Sequence, residues 1–223
     1  MQKKLLLTLC FCWIFGLAQA QDEDIRTLSW DDVAQEGMNI GDFVPEGWTL
    51  EEQATGDLNK DGRIDAALQL VEDIAAEDEN GAPTTRYRAL VIIFRKKNGN
   101  GFELNTVGHY VLQCTTCGGM LTSVKTEIKN GVVIVDQLMG SREATNLTQR
   151  FRWESLFKRM MLIGEDRVDY DRANGDSKKV SKNLLTGNQV TETSKGGKKP
   201  TIVRKKIPKN MIPMDEINIY EGE

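Results

Sequence analysis

Most of this chain alternates apolar and polar residues with a period of two, a pattern that indicates β-strands. The segments 102–112 and 147–154 alternate in this way, whereas residues 87–94 are apolar on both faces and predict a central strand covered on both sides. The turn sequences at 98–101 and 129–132 favour hairpins. Further strands are predicted at 64–71, 124–128, 132–138, 160–163, 180–185, 189–193 and 201–207.

These segments predict a mainly β fold, an antiparallel meander that forms a curved sheet or a sandwich. The stretch Ser29-Trp30-Asp31-Asp32 has the form of a capping box, so a short N-terminal helix should begin there and end by Gly37. A length of 223 residues is ample for one domain with a substantial core. We find no internal repeat and therefore predict a single β-rich domain over residues 21–223.

The first twenty residues are typical of a secretory signal peptide. Two lysines at positions 3 and 4 precede an apolar stretch that runs to Leu17, and Ala18-Gln19-Ala20 offers a small-x-small cleavage site. This apolar stretch is too short for a comfortable membrane span, and no later stretch is apolar enough to form one. No cysteine follows the cleavage site directly. We therefore expect a secreted or periplasmic protein that begins at Gln21, without a lipid anchor.

The chain carries a formal net charge of −4, which disfavours general binding of nucleic acid. Its charges are nevertheless uneven, because the segment Asp22-Glu23-Asp24 is acidic and a later segment is basic. The simpler interpretation of the basic segment is an edge strand protected from aggregation by its charges. The alternative is contact with an anionic surface or an acidic protein. Its members are Lys195, Lys198, Lys199, Arg204, Lys205 and Lys206.

One short segment, residues 57–65, sets oxygen-bearing side chains at alternate positions around a glycine. Ca²⁺ prefers six to eight oxygen ligands, which a tight loop of this kind can supply. Gly62 permits the sharp turn because it has no Cβ to clash at positive φ. An EF-hand would need a glutamate where this chain has Leu68, so the sequence does not predict an EF-hand. The predicted ligands are the side chains of Asp57, Asn59, Asp61 and Asp65 and the backbone carbonyl of Arg63.

The loop is followed directly by the apolar segment 64–71, which predicts a strand rather than a helix. In this respect it resembles the calcium loops of the FG-GAP and VCBS repeat families, in which Asp-x-Asn/Asp-x-Asp-Gly-x-x-Asp precedes an apolar strand. The resemblance covers about a dozen residues in a single copy, so it implies one structural Ca²⁺ and a loop-plus-strand unit. The other interpretation of this segment is an acidic surface turn.

Two cysteines follow the predicted leader, Cys114 and Cys117, and they are separated by two threonines. In an oxidising compartment we expect them to form a small disulfide that closes a loop. A redox motif would place the first cysteine at a helix N-terminus, which the sequence does not indicate. Zinc with His109 as a third ligand would still lack a fourth. An attached c-type haem is excluded because Gly118 follows the second cysteine.

Catalytic signals are few. His109 is the single histidine of the chain, and no serine-hydrolase, zinc-protease or nucleotide-binding motif is present. A glycosidase needs only two carboxylates. The acidic group Glu165, Asp166, Asp169 and Asp171 is interleaved with Arg167 and Arg172, which favours a self-neutralising, solvated strand edge.

The sequence therefore favours a non-catalytic, exported binding domain with a structural calcium loop and an unidentified ligand. Two alternatives remain open. One is a carboxylate-dependent hydrolase of an envelope or nutrient polymer, and the other is a thiol-disulfide protein that uses Cys114 and Cys117.

Overall fold

The computed structural model describes residues 27–119 and 121–221. The predicted signal peptide, the cysteines at 10 and 12, the predicted start at Gln21 and the acidic segment 22–24 lie outside these residues. Within them the chain forms two antiparallel sheets that pack as a sandwich. The mainly β fold predicted from the alternating pattern is therefore confirmed.

The first sheet has five strands in the order β1-β5-β4-β3-β2. Its strands are β1 (Glu36–Gly37), β2 (Trp48–Gly56), β3 (Asp65–Glu72), β4 (Arg88–Arg95) and β5 (Phe102–Gly108). Strand β3 is buried along its whole length, and β4 is buried except at its ends. This burial confirms the prediction of a central strand that is covered on both sides.

The second sheet runs in the order β12-β11-β10-β9-β8-β7-β6, and the short β13 also pairs with β9. Its strands are β6 (Ser123–Lys129), β7 (Val132–Gly140), β8 (Glu143–Glu154), β9 (Arg159–Asp171), β10 (Asp176–Asn183), β11 (Asn188–Ser194), β12 (Thr201–Lys206) and β13 (Ile212–Pro213). The predicted strands in the last third of the chain agree with β10, β11 and β12 to within a few residues. Asn130 and Gly131 both adopt positive φ, 53° and 75°, as the hairpin between β6 and β7 requires.

The buried apolar residues form two clusters, one on each face of the first sheet. The first lies between the two sheets, where Ile92 and Phe94 of the first sheet meet Val133 and Phe151 of the second. The second cluster covers the other face of the first sheet, where the N-terminal segment contributes Phe43. The first sheet is thus the middle layer of the molecule, which explains why its strands are apolar on both faces.

Two expectations about local structure need correction. The helix predicted from Ser29 is a single 3₁₀ turn, Trp30–Asp32, because the chain becomes extended at Val33, which is buried. Two more 3₁₀ turns span Ile40–Phe43 and Met214–Glu216. The strand predicted over 102–112 ends at Gly108. Beyond it Tyr110 forms an isolated bridge with Asn218, so a late segment of the chain ends the strand.

Candidate functional site

The predicted calcium loop is the hairpin connection between β2 and β3, and its polar side chains bind its own backbone. Asp57 accepts hydrogen bonds from the amides of Asp61 (3.2 Å) and Gly62 (2.9 Å). The side-chain oxygen of Asn59 accepts from the same Asp61 amide at 3.0 Å. Lys60 and Gly62 both have positive φ, 64° and 82°, so the chain curls tightly around these acceptors. The structure therefore brings three of the predicted ligand residues together.

Asp65, the last predicted ligand, lies at the buried end of the loop and is fully shielded from solvent. Its two carboxylate oxygens accept the amides of Leu58 (2.8 Å) and Arg95 (2.9 Å). Burial raises the pKa of this carboxyl above its ordinary value, although those amides oppose the shift. The negative charge of Asp61 raises the pKa further. The fold thus buries the Asp65 carboxylate near the negative charge of Asp61, an arrangement that favours binding of a cation.

Asp61 lies on the exposed side of the loop and pairs with Arg63. One carboxylate oxygen accepts the Arg63 amide at 2.9 Å, and the other accepts its guanidinium at 2.8 Å. Desolvation acts to raise the pKa of the Asp61 carboxyl, but the hydrogen bonds and the positive charge of Arg63 together hold this pKa below its ordinary value. A cation would have to displace the guanidinium from one oxygen of Asp61. Arg63 would then contribute through its backbone carbonyl.

The donor set fits a hard cation because every predicted ligand is an oxygen. In residues 27–119 and 121–221, however, no three histidine, cysteine, aspartate or glutamate side chains are grouped so that they could hold a metal ion. Backbone amides and Arg63 satisfy the loop's acceptors instead. Calcium binding at Asp57, Asn59, Asp61, Arg63 and Asp65 therefore stays a prediction.

The loop also joins the two sheets. Leu58 points into the core between them and is only 1% exposed. A Cβ added to Gly131, in the turn between β6 and β7, would lie 3.3 Å from the Asp57 carbonyl oxygen. A Cβ on Gly56 would approach the Ile128 side chain to 2.5 Å. Because the loop packs so closely against the β6–β7 hairpin, a ligand that orders the loop would also stabilise the contact between the sheets.

Cys114 and Cys117 are joined by a disulfide in the connection between the two sheets. Cys114 is fully buried, whereas Cys117 is exposed. The segment follows a strand and its described residues, 109–119 and 121–122, form no helix, so the dipole of a redox helix is missing among them. The bonded sulfurs leave no thiolate for the zinc alternative. His109 instead packs edge-on against Tyr110, with ring centres 4.3 Å apart.

The disulfide loop is fastened by residues distant in sequence. The Tyr220 hydroxyl accepts the Cys114 amide at 2.8 Å and donates to the Leu112 carbonyl at 3.1 Å. Burial raises the pKa of Tyr220 to about 12. Thr115 exchanges hydrogen bonds with the backbone of Arg86, just before β4. No sequence signal pairs Tyr220 with this loop, because 106 residues separate it from Cys114.

The acidic group of β9 is neutralised, but it does not lie on a strand edge as predicted. Strand β9 pairs with β8 on one side and β10 on the other, so it is internal to the sheet. Each carboxylate meets a cation, partly from a neighbouring strand. The pairs are Glu165 with Lys182, Asp166 with Arg150, Asp169 with Arg167, and Asp171 with Arg142.

A surface cavity of about 450 Å³ is lined partly by Asp169, Asp171 and Asp176. A hydrolase that uses two carboxylates needs one with a raised pKa as its general acid. Here a hydrogen bond from Arg142 lowers the pKa of Asp171, and one from Lys195 lowers that of Asp176. Neither of these carboxylates therefore has the property that a general acid requires.

The basic segment forms the turn after β11 and the strand β12. All six residues of β12 are exposed, and β12 is the last strand of its sheet. Among the described residues, Lys195 is the one member of the six that forms an ion pair, with Asp176 at 2.7 Å. The predicted edge strand is therefore present, and most of its positive charge has no carboxylate partner.

Comparison with known proteins found no match among family models, curated proteins or solved structures. In the described part of the chain, no helix has the length and apolar character needed to cross a membrane.

Proposed function

We propose that this chain is an exported, non-catalytic binding domain in which the loop 57–65 takes up one structural Ca²⁺. The observation that carries the proposal is the buried Asp65 carboxylate, whose charge faces backbone amides and the like charge of Asp61. A divalent cation at this point would offset both the desolvation and the repulsion. The match of the loop to the calcium-loop pattern of FG-GAP and VCBS repeats supports the same choice.

The metal has a structural role in this proposal. Its ligands span the connection between β2 and β3, and the loop packs on the β6–β7 turn, so the bound ion would stiffen the junction of the two sheets. With the glutamate of an EF-hand absent, we expect a dissociation constant of about 10⁻⁴–10⁻³ M, as in extracellular modules. Calcium at ten times this value would stabilise the fold by about 1.4 kcal/mol.

The test is thermal unfolding of the mature protein in calcium and in chelator. For a domain of this size, the stabilisation corresponds to a rise in midpoint of about 3–6 °C. Asp61→Ala should remove this rise while the protein stays folded, because Asp61 is exposed. Asp78→Ala is the matched control, since Asp78 is also an exposed aspartate that accepts loop amides. It should lower the midpoint equally in both conditions. A wild-type unfolding midpoint that is the same in millimolar calcium and in chelator would contradict the proposal.

Export is tested separately by the intact mass of the protein recovered from outside the cytoplasm. We expect a chain that begins at Gln21 and carries no lipid. A mass that retains residues 1–20, or one that includes a diacylglycerol, would refute this part of the proposal.

A thiol-disulfide role is the second candidate because one of the two cysteines, Cys117, is exposed. An external thiolate would attack the exposed Cys117 and release Cys114 as a thiolate, next to the Cys117 amide at 2.9 Å from its sulfur. Equilibration with glutathione, followed by alkylation, tests this role. Full oxidation at a strongly reducing glutathione poise would indicate a structural disulfide.

A further inference from the structure

Strand β12 offers an open sheet edge. At the other end of the second sheet, β6 is in contact with β2 of the first sheet. At this end, β12 pairs with β11 on one side, and its other side faces outward. No proline or bulge interrupts its six residues, and Ile202 and Val203 are 46% and 58% exposed. An exposed, regular edge of this kind is a template for another strand, while its cationic residues disfavour added strands that carry positive charge.

The hydrogen bonds next to β12 show which of its backbone groups face outward. The amide of Ile207 donates to the Gly187 carbonyl at 3.0 Å, directly beyond the last pair of the β11–β12 register. Hydrogen-bonded and non-hydrogen-bonded pairs alternate along an antiparallel ladder. Strand β11 therefore takes the backbone groups of alternate residues only. The N–H and C=O groups that point away from β11 belong to Ile202, Arg204 and Lys206.

The positive charge of the β12 edge indicates which kind of strand could pair with it. The three residues at the end of β12, Arg204, Lys205 and Lys206, are all cationic and exposed. The β12 strand of a second copy contains no carboxylate, so pairing with it would leave the cations of both copies without partners. In the antiparallel register centred on Arg204, it would also place Arg204 opposite Arg204 of that copy, and like charges destabilise cross-strand neighbours. An extended segment with acidic residues opposite the cations and apolar residues opposite Ile202 and Val203 would instead be complementary on both counts.

We infer that β12 binds an acidic, extended peptide segment of a partner protein by antiparallel strand addition. The backbone of the partner would complete the outward hydrogen bonds, and its carboxylates would pair with the basic residues. This inference deepens the proposed function and rests on it, because it names the class of ligand that the binding domain would take.

The probe is a capped synthetic peptide with the sequence Thr-Glu-Glu-Glu-Val-Ile-Thr, which places acidic residues opposite Arg204–Lys206 in antiparallel register. We expect saturable binding to the mature protein that weakens as salt is added. A peptide with lysine in place of glutamate should not bind. A third peptide keeps the glutamates but carries N-methyl groups on alternate amides that would face β12. It should also fail to bind, because it cannot pair as a strand.

Variants of Arg204 separate backbone pairing from charge. Arg204→Gln removes one charge and should weaken binding by no more than about fivefold, the effect of one exposed ion pair. Arg204→Pro removes in addition an outward amide, without touching a bond to β11, and should weaken binding by about tenfold or more. Hydrogen exchange in β11 checks that the proline variant keeps its sheet. The N-methyl peptide tests the same point on the unaltered protein.

Each result has a defined meaning. Equal binding of the N-methyl and parent peptides would overturn strand addition and leave an electrostatic patch only. Absence of binding at millimolar peptide would also overturn strand addition by a partner. So would dimerisation of the protein itself, if Arg204→Pro abolishes it, because β12 would then pair with a second copy. The calcium-dependent rise in midpoint is measured on the same samples. If that rise is missing but the peptide binds, the calcium proposal fails and the edge site stands.

Discussion

Replacing Asp65 by alanine should destabilise the fold more than any other single change in the loop 57–65 that leaves the core side chains intact. The substitution deletes the acceptor of two amides, those of Leu58 and Arg95, at a fully buried position. Each buried amide left without a partner costs about 1–3 kcal/mol. Removal of an ionised carboxylate from a buried site returns part of this cost. We therefore expect a net loss of about 2–4 kcal/mol in chelator.

The assay is urea denaturation followed by tryptophan fluorescence. Trp48 is 6% exposed, and Trp153 packs edge-on against Phe94 with ring centres 5.0 Å apart, so both report on the sandwich. The slope of the free energy of unfolding against urea concentration should not change, because the substitution leaves the surface area exposed on unfolding the same. Asp65→Asn is the matched control. It keeps one oxygen acceptor but turns its NH₂ group toward an amide donor, so it should lose about half as much. A decrease in the free energy of unfolding of less than about 0.5 kcal/mol for Asp65→Ala would show that Asp65 does not stabilise the loop.

The difference in stability between the wild type and Asp65→Asn should change with pH in a direction that the raised pKa of Asp65 determines. Because the folded pKa of Asp65 is raised, the stability that this group contributes in chelator is present below its unfolded pKa and is lost as pH rises through its folded pKa. The advantage of the wild type over Asp65→Asn should therefore shrink from acid toward neutral pH. If the loop takes up calcium as proposed, the ion would bind the ionised carboxylate, so in calcium the advantage should grow over the same range. An identical pH dependence with and without calcium would rule out Asp65 as a ligand.

Three further outcomes test the packing around the loops. Leu58→Ala should cost about 2–5 kcal/mol in urea denaturation, as expected for a fully buried leucine. Tyr220→Phe should cost about 1–3 kcal/mol, because it leaves the Cys114 amide without an acceptor. It should also abolish a wild-type loss of stability between about pH 10 and 12, since the folded pKa of Tyr220 is raised to about 12. Reduction of the disulfide should cost no more than about 2 kcal/mol, because the loop that it closes is short.

Local patterns in the sequence predicted most of the strands because each depends on neighbouring residues. They missed β2 (Trp48–Gly56), most of whose residues are not buried and so give no apolar alternation. The Asn130-Gly131 turn fixed the β6–β7 hairpin through its positive φ angles. The apolar run of β4 indicated burial on both faces, which the N-terminal segment and the second sheet provide. At the other extreme, the Ser29 capping box formed, but it supports one 3₁₀ turn and no longer helix.

Contacts between distant segments could not be predicted in this way. The loop pattern identified Asp65, but not its bond to the Arg95 amide 30 residues away. The composition of β9 showed that its charges compensate each other, yet only the strand order shows that β9 is internal. For the same reason, Tyr220 and its role at the disulfide had no signature in the sequence.

The three strands β10, β11 and β12 give the molecule a region that should open without global unfolding. Their own side chains are half-buried or exposed, and the core contacts nearest to them are made by Leu184 and Ile207, just beyond two of the strand ends. Amide exchange should therefore be graded along these strands, slowest near Leu184 and fastest near the turn at 195–200. Proteases should cut there first, and a strand added at β12 would slow both processes. The measured stability of this protein would then have two values, one for the sandwich and a lower one for this extension.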